Sequence, residues 1–251
     1  MTAYTLPGPT TVQVGTFVKT PAPQLVEILA GAGLDFAVLD AEHAPWDRAA
    51  LDTAILAGRA AGLPLFVRVL DRQPGTLLSA LDLGAAGLLV PHVDSADEAR
   101  AVVAHARFVG GDRGYSGSPR FGGYGTLGMR EALRRGDQAA LICQIESGRA
   151  VQEAEAIAAV PGVAGLFIGR ADLALSLGLD TVQHPRVDEA TEQVMRAAQA
   201  AGKLIGVAVA SAAERDHYIA RGARWLVLGS DQSLLRQAAR AATLHAAIQP
   251  S

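Results

Sequence analysis

One join recurs along this chain: a helical stretch stops at a glycine, and a run of about five apolar residues follows. It is written as GAGLDFAVLD, AAGLPLFVRV, LGAAGLLVP, VPGVAGLFIG, AAGKLIGVAV and ARGARWLVLG. Glycine ends a helix because the left-handed conformation there carries no Cβ penalty. The runs that follow are nearly continuous in apolar residues, as expected for parallel strands buried on both faces. Strands are expected near 12–18, 35–39, 64–69, 86–90, 140–145, 164–168, 204–209 and 225–229. Helices are expected near 22–32, 47–61, 74–83, 95–107, 148–159, 186–201, 211–221 and 231–247. Eight strand–helix pairs within 251 residues indicate one closed (β/α)8 TIM barrel, a single α/β domain spanning 1–251. An open doubly wound sheet is the alternative, but no G-x-G-x-x-G follows the first strand, which removes its usual dinucleotide reading.

Composition narrows the function. A net charge of -3 argues against nucleic acid as the main partner, since phosphate binding needs a basic face. Cys143 is the only cysteine, so no intrachain disulfide is possible and a reducing compartment is expected. The N-terminal stretch MTAYTLPGPTTVQVG has no charged region followed by an apolar core, and no run is long enough to span a bilayer. A cytoplasmic protein without membrane contact is the expectation.

Residues 110–128, GGDRGYSGSPRFGGYGTLG, break the rhythm with eight glycines, two arginines and two tyrosines. Glycine at that density disfavours helix and strand. A long loop in a compact domain is usually functional; a plain surface excursion and a loop crossing to a neighbouring subunit are the other readings.

A barrel enzyme works at the carboxyl ends of its strands. Asp40, Glu42 and His43 follow the second strand, Arg68 ends the third, and Pro91 and His92 follow the fourth. Gln144 and Glu146 close the fifth, Asp172 comes just after the sixth at a helix start, and Ser230 and Asp231 end the eighth. The strand starts carry little chemistry. Singly, each residue has a plain structural explanation: Asp172 as a helix cap, Arg68 as an ion pair to Asp40, His92 as a turn residue. Glu146 is harder to explain so, because a carboxylate on an apolar strand needs a cation or a proton. Glu146 and Asp172 with Gln144 beside them form an all-oxygen set suited to Mg²⁺ or Mn²⁺. Zinc fits less well: His43 and His92 are the only nearby histidines, Cys143 should point away from Gln144, and no H-E-x-x-H is present.

Schiff-base chemistry needs a lysine inside the barrel. The chain has only Lys19 and Lys203; Lys203 precedes the seventh strand, at the wrong end, and Lys19 sits in a short loop after the first. Metal stabilisation of an enolate is the natural substitute.

With these residues in place the chain resembles the HpcH/HpaI aldolase family, the class II pyruvate aldolases, along nearly its whole length. The matching pieces are KTPAPQLVEILAGAGLDFAVLDAEH (19–43), VRV (67–69), LDLGAAGLLVPHV (81–93), RG (113–114), QIES (144–147) and IGRADL (168–173). The resemblance implies a metal-dependent aldolase that reversibly cleaves 4-hydroxy-2-oxoacids to an aldehyde and pyruvate, or a related 2-oxoacid such as hydroxypyruvate. It implies Mg²⁺ or Mn²⁺, with Co²⁺ an option, held by Glu146 and Asp172. It further implies a homo-hexamer built as a dimer of trimers, with active sites near subunit contacts. By the same resemblance His43 is the catalytic histidine, Arg68 binds pyruvate, and Gln144 contacts the bound ketoacid. The Ala171 amide meets the ketoacid's carboxylate, Asp40 lies close to water on the metal, and Asp82 reaches the histidine of a neighbouring subunit. The chain departs from the family where Arg170 replaces a proline before Asp172, in its glycine-rich 110–128 loop, and at Ala208, where relatives carry a larger apolar residue. The nearest rival is a lyase of the citrate-lyase β-subunit or malyl-CoA type, for which no extra coenzyme A segment is visible. A catalytically silent scaffold is a further alternative.

Overall fold

The computed structural model describes residues 4–243. Eight parallel strands close in sequence order into a barrel, each hydrogen-bonded to the next and the eighth to the first. β1 (Gln13–Val18), β2 (Phe36–Asp40), β3 (Leu65–Arg68) and β4 (Gly87–Val90) alternate with α1 (Pro23–Gly31), α2 (Arg48–Ala61), α3 (Pro74–Asp82) and α4 (Ala96–Ala106). After α4 the chain runs through α5 (Met129–Gly136) into β5 (Ala140–Ile145). Then come α6 (Gly148–Gln152), α7 (Ala154–Ala158), β6 (Gly165–Ile168), α8 (Arg170–Ser176) and α9 (Pro185–Ala200). β7 (Leu204–Val209), α10 (Ala212–Ala220), β8 (Trp225–Ser230) and α11 (Asp231–Thr243) complete the circuit. No helix among the described residues is long and apolar enough to cross a membrane.

The expected helix over 47–61 shows why the local reading works. Asp47 accepts the Ala50 amide across the first turn of α2, and Gly62 ends the helix in the left-handed region at φ 74°. Two elements differ from the sequence reading. The stretch expected as one helix over 148–159 is split at Glu153 into α6 and α7. α5 is an added helix; its sequence MREALRRG is short and charged and buries only Ala132 and Gly136, so no apolar stripe announces it. The last helix is followed to Thr243, and its expected extension over 244–247 lies outside the described residues.

Strand residues alternate between two apolar layers. Val18, Ala37, Leu39, Val67, Leu88, Leu141, Cys143, Leu166, Val207 and Leu226 pack outward against the helices. Phe17, Phe36, Val38, Phe66, Leu89, Ile142, Phe167, Trp225 and Val227 fill the barrel interior. Near the strand starts, Phe36 stacks on Trp225 at 4.2 Å, and Phe66 and Phe167 meet the same indole edge-on. These large rings fit because facing positions are small. A Cβ on Gly15 would lie 2.5 Å from the Phe36 ring, and one on Gly87 would lie 2.5 Å from Phe66. The floor of the barrel is thus a packed plug, and chemistry is confined to the opposite end. Trp225→Ala should destabilise the fold by about 3–5 kcal/mol, the usual cost of emptying a large buried aromatic site, read as a lower urea midpoint.

Candidate active site

The interior-facing position at the carboxyl end of each strand is where the apolar plug gives way to polar groups. Along β2 the inward residues are Phe36, Val38 and Asp40, and along β3 they are Phe66 and Arg68. Asp40 and Arg68 are register partners on adjacent strands, so their side chains enter the interior at one level. Arg68 donates from Nε to Asp40 Oδ1 at 2.9 Å and from Nη2 to Oδ2 at 2.7 Å. Its guanidinium also lies 4.5 Å from the centre of the Phe17 ring and 3.3 Å from Glu42 Oε2. Lys19 Nζ stands 3.1 Å from Asp40 Oδ2. Burial by itself would raise the Asp40 carboxyl, but Arg68 and then Lys19 outweigh it and hold the group below the ordinary carboxylate range.

A second cluster stands beside the first. Along β5 Cys143 faces the helices, where burial pushes its thiol up to about 12, and Gln144 faces the interior as expected from their alternation. Glu146, just past the strand, is almost wholly buried. Its Oε2 accepts Gln144 Nε2, and its Oε1 accepts the His92 amide at 2.6 Å and lies 2.9 Å from His92 Nδ1. His92 Nε2 is 3.3 Å from Glu42 Oε1, so the imidazole bridges two carboxylates. Glu42 is lifted above its ordinary range, chiefly by burial and further by Glu146, against the pull of Arg68 and His43. His43 is half exposed, with Nε2 3.6 Å from Glu42 Oε2 and its backbone amide on Asp40 Oδ1. Two acceptors in this cluster, Glu42 Oε2 and Gln144 Oε1, are buried without a hydrogen-bond partner among the described residues. Glu42, His92 and Glu146 each offer one donor atom, all within 4.8 Å of one another.

Asp172 lies in the first turn of α8, partly exposed, and no side-chain hydrogen bond among the described residues engages it. That helix begins after Gly169, where a Cβ would come within 3.1 Å of Glu146 Oε2 and 3.2 Å of Gln144 Nε2. Glycine there keeps the room that brings the start of α8 against Glu146. Ala171 sits in the same turn, exposed, among amides that no preceding helical carbonyl can accept. Sequence reasoning missed Glu42 as a member of the cluster, although it stands two residues past Asp40; its signal was an acid in the turn after a buried strand. His92 was named as a strand-end residue, weighed for zinc and as a turn residue, and the structure makes it the bridge.

Other expected residues stand elsewhere. Asp82 ends α3, at the amino end of the barrel in its own chain, where it accepts Arg113 Nη2 at 2.8 Å. The 110–128 loop joins α4 to α5 and therefore also lies at that end, as Arg120 packing on Gly84 shows. Within one chain it does not border the Asp40–Glu146 site. The loop is ordered by charge: Asp137 accepts the Phe108 and Val109 amides, Arg113 lies under the Phe108 and Phe121 rings, and Arg120 pairs with Asp52. Arg170 does not present a free charge at the mouth. It pairs with Glu214 at 3.0 Å, donates to the Tyr218 hydroxyl and to the Ala208 carbonyl, and lies over the Tyr218 ring. Ala208 does face the interior, packed beside the inner apolar layer. Asp231 clamps the Lys19 and Thr20 amides and so holds the loop that carries Lys19.

Residues 13–238 match the family model described as HpcH/HpaI aldolase/citrate lyase. A 5-keto-4-deoxy-D-glucarate aldolase from Klebsiella pneumoniae subsp. pneumoniae is 36% identical over 229 residues, covering 90% of this chain and 89% of the relative. A 4-hydroxy-2-oxovalerate aldolase from Rhodococcus jostii is 39% identical over 228 residues, covering 89% and 87%. Among solved structures, an HpcH/HpaI aldolase/citrate lyase family protein from Burkholderia cenocepacia superposes with a TM-score of 0.88 at 36% identity, covering 92% of this chain and 93% of that one. The chain belongs to the HpcH/HpaI aldolase/citrate lyase family and is a carbon–carbon lyase.

Proposed function

We propose that the protein is a divalent-metal-dependent aldolase that reversibly cleaves a 4-hydroxy-2-oxoacid to an aldehyde and pyruvate, or a related 2-oxoacid such as hydroxypyruvate. The observation that carries this reading is the buried, carboxylate-rich polar cluster at the strand ends, in which Gln144 Oε1 has no hydrogen-bond partner among the described residues and Glu42 Oε2 has only the Arg68 guanidinium and His43 beside it. A buried acceptor left unpaired costs free energy, and a bound cation or substrate relieves that cost. The donor set is rich in carboxylate oxygen, which fits Mg²⁺ or Mn²⁺, with Co²⁺ an option. Glu146 and Asp172 would hold the ion, and the room kept by Gly169 supports their pairing. When bound, the ion supplies Lewis-acid polarisation of the ketone and charge stabilisation of the enolate.

The chain's own groups account for the rest. Gln144 contacts the 2-oxoacid from the barrel wall, and the Ala171 amide, unpaired at the start of α8, meets its carboxylate. Arg68 keeps Nη1 outside the Asp40 pair and directs it at the oxygen where negative charge develops. His43 accepts the 4-hydroxyl proton at Nε2. As that O–H electron pair becomes the aldehyde carbonyl, the bond between the third and fourth carbons breaks and its pair stays on the pyruvate unit as the enolate. A proton returned to the third carbon gives pyruvate. Asp40 positions Arg68 and the His43 turn. Asp82, which stands at the amino end of its own barrel, acts on a neighbouring subunit's His43, within a homo-hexamer of two trimers. The reading extends to a cytoplasmic protein acting on small molecules, without nucleic acid or membrane.

Exchange of pyruvate methyl protons with D2O, followed by NMR, tests the reading. Exchange should require added Mg²⁺ or Mn²⁺ and fall by about 10²–10³-fold in Glu146→Gln. Persistence after exhaustive chelation, or full activity of that variant, removes the metal role. Borohydride trapping of pyruvate on Lys19 would replace enolate chemistry by imine chemistry. A citrate-lyase-type enzyme would act on thioesters instead, and a scaffold would exchange nothing.

Arg68→Met leaves Asp40 buried with Lys19 as its one remaining cation, so burial should win and the Asp40 carboxyl should rise. The wild-type group, held low, contributes stability above the ordinary carboxylate range and loses it as pH falls through its depressed value. The variant should therefore be less stable by about 3 kcal/mol at pH 7. As pH falls and its Asp40 takes up a proton before the wild-type group does, the gap should narrow. Urea unfolding at pH 7 and at lower pH measures it.

A further inference from the structure

We infer that His92 supplies a nitrogen donor to the metal centre, giving this chain a mixed nitrogen–oxygen site that favours Co²⁺ over Mg²⁺. The inference rests on the reading of Glu146 as a metal ligand and adds to it a residue that the sequence reading treated as part of a turn.

β4 ends at Val90, and Pro91 turns the chain so that His92 takes φ 54°, a left-handed conformation uncommon for a side chain with a Cβ. The conformation brings both its backbone amide and its Nδ1 onto Glu146 Oε1, at 2.6 and 2.9 Å. On its other edge Nε2 lies 3.3 Å from Glu42 Oε1. A spacing of 2.9 Å suits a hydrogen bond, and it also suits two neighbouring donors about one small ion. Donors about 2.1 Å from a metal and at right angles to each other lie about 3.0 Å apart.

The two explanations differ in what they leave over. If His92 only hydrogen-bonds, Gln144 Oε1 stays buried without a hydrogen-bond partner among the described residues, with Gln144 1% exposed, and Glu42 Oε2 keeps only its 3.3 Å contact with Arg68. An ion held by Glu146 and Asp172 and joined by His92 Nδ1 adds positive charge on the Glu146 side of the cluster, away from Arg68, and Glu42, His92 and Glu146 already offer donor atoms within 4.8 Å of one another. Carboxylate oxygens alone suit Mg²⁺, whereas an imidazole shifts preference towards later first-row ions. His92 is 64% exposed at its side chain, so its replacement disturbs no packed core.

Calorimetric titration of the metal-stripped full chain with MgCl2 and with CoCl2 tests the assignment in wild type, His92→Asn and Glu146→Gln. Asparagine tolerates the left-handed conformation and offers oxygen in place of nitrogen, so His92→Asn separates the donor atom from the turn. His92→Asn should weaken Co²⁺ by about tenfold or more, with Mg²⁺ changed by less than about threefold. In the Mn²⁺-loaded wild type, electron spin-echo spectra should show modulation from a directly bound nitrogen, and His92→Asn should lose it. Unchanged Co²⁺ affinity and no nitrogen signal in wild type, with binding lost in Glu146→Gln, would overturn the role of His92 alone. Full Co²⁺ binding by Glu146→Gln would overturn the metal reading beneath it.

Discussion

Asp40 and Arg68 bring opposite charges into the barrel interior at one level of adjacent strands, and neither would be tolerated there alone. Their bidentate contact sets the geometry of what surrounds it. Phe17 backs the guanidinium, Lys19 completes the charge on Asp40, and the Asp40 carboxylate fixes the His43 turn through its amide. Glu42 is drawn to the same guanidinium, which brings it within reach of His92 and, through that ring, of Glu146. The result is a run of ionisable groups across the carboxyl ends of neighbouring strands, held above a plug of packed aromatic side chains.

Closure of the sheet makes this arrangement possible. In a closed barrel every second strand residue must share one interior, so a polar residue at the last inward position of a strand meets the corresponding residues of its neighbours. The amino end obeys the opposite rule, with Phe36, Phe66, Phe167 and Trp225 packed against glycines. The long 110–128 loop and Asp82 belong to that end within one chain, stitched together by Arg113 and Arg120. α11 buries Asp231 and is otherwise partly or fully exposed, so the barrel closes through strand hydrogen bonds more than through its last helix.

Much of the site was legible before any coordinates. Asp40, Arg68, Gln144 and Glu146 stand at strand ends in the sequence, and the period of the strands sends them inward; the opposite orientation of Cys143 follows from the same alternation. The Arg68–Asp40 pair was legible as the plain structural reading of either residue. Arg170 was not, because its partners Glu214 and Tyr218 lie on α10, more than forty residues away, and nothing local marks them. Glu42 and His92 were visible as strand-end residues, but not the direction they point, since turn residues have no period from which it can be read. The position of the glycine-rich loop was not legible for a related reason: its composition marks it as irregular and says nothing about which end of the barrel it joins.

The sequence by itself determined the eight-fold alternation, the strands, the ends at which polar residues gather, and the family motifs, because these depend on short-range periodicity and on glycine at helix ends. Only the tertiary structure decided that Glu42, His92 and Glu146 converge, that Arg170 is spent on Glu214, and that the loop and Asp82 lie at the far end of the same barrel. Those outcomes depend on through-space contacts between strands and turns distant in the chain. Electrostatic pairing and packing select such contacts only once the barrel has closed.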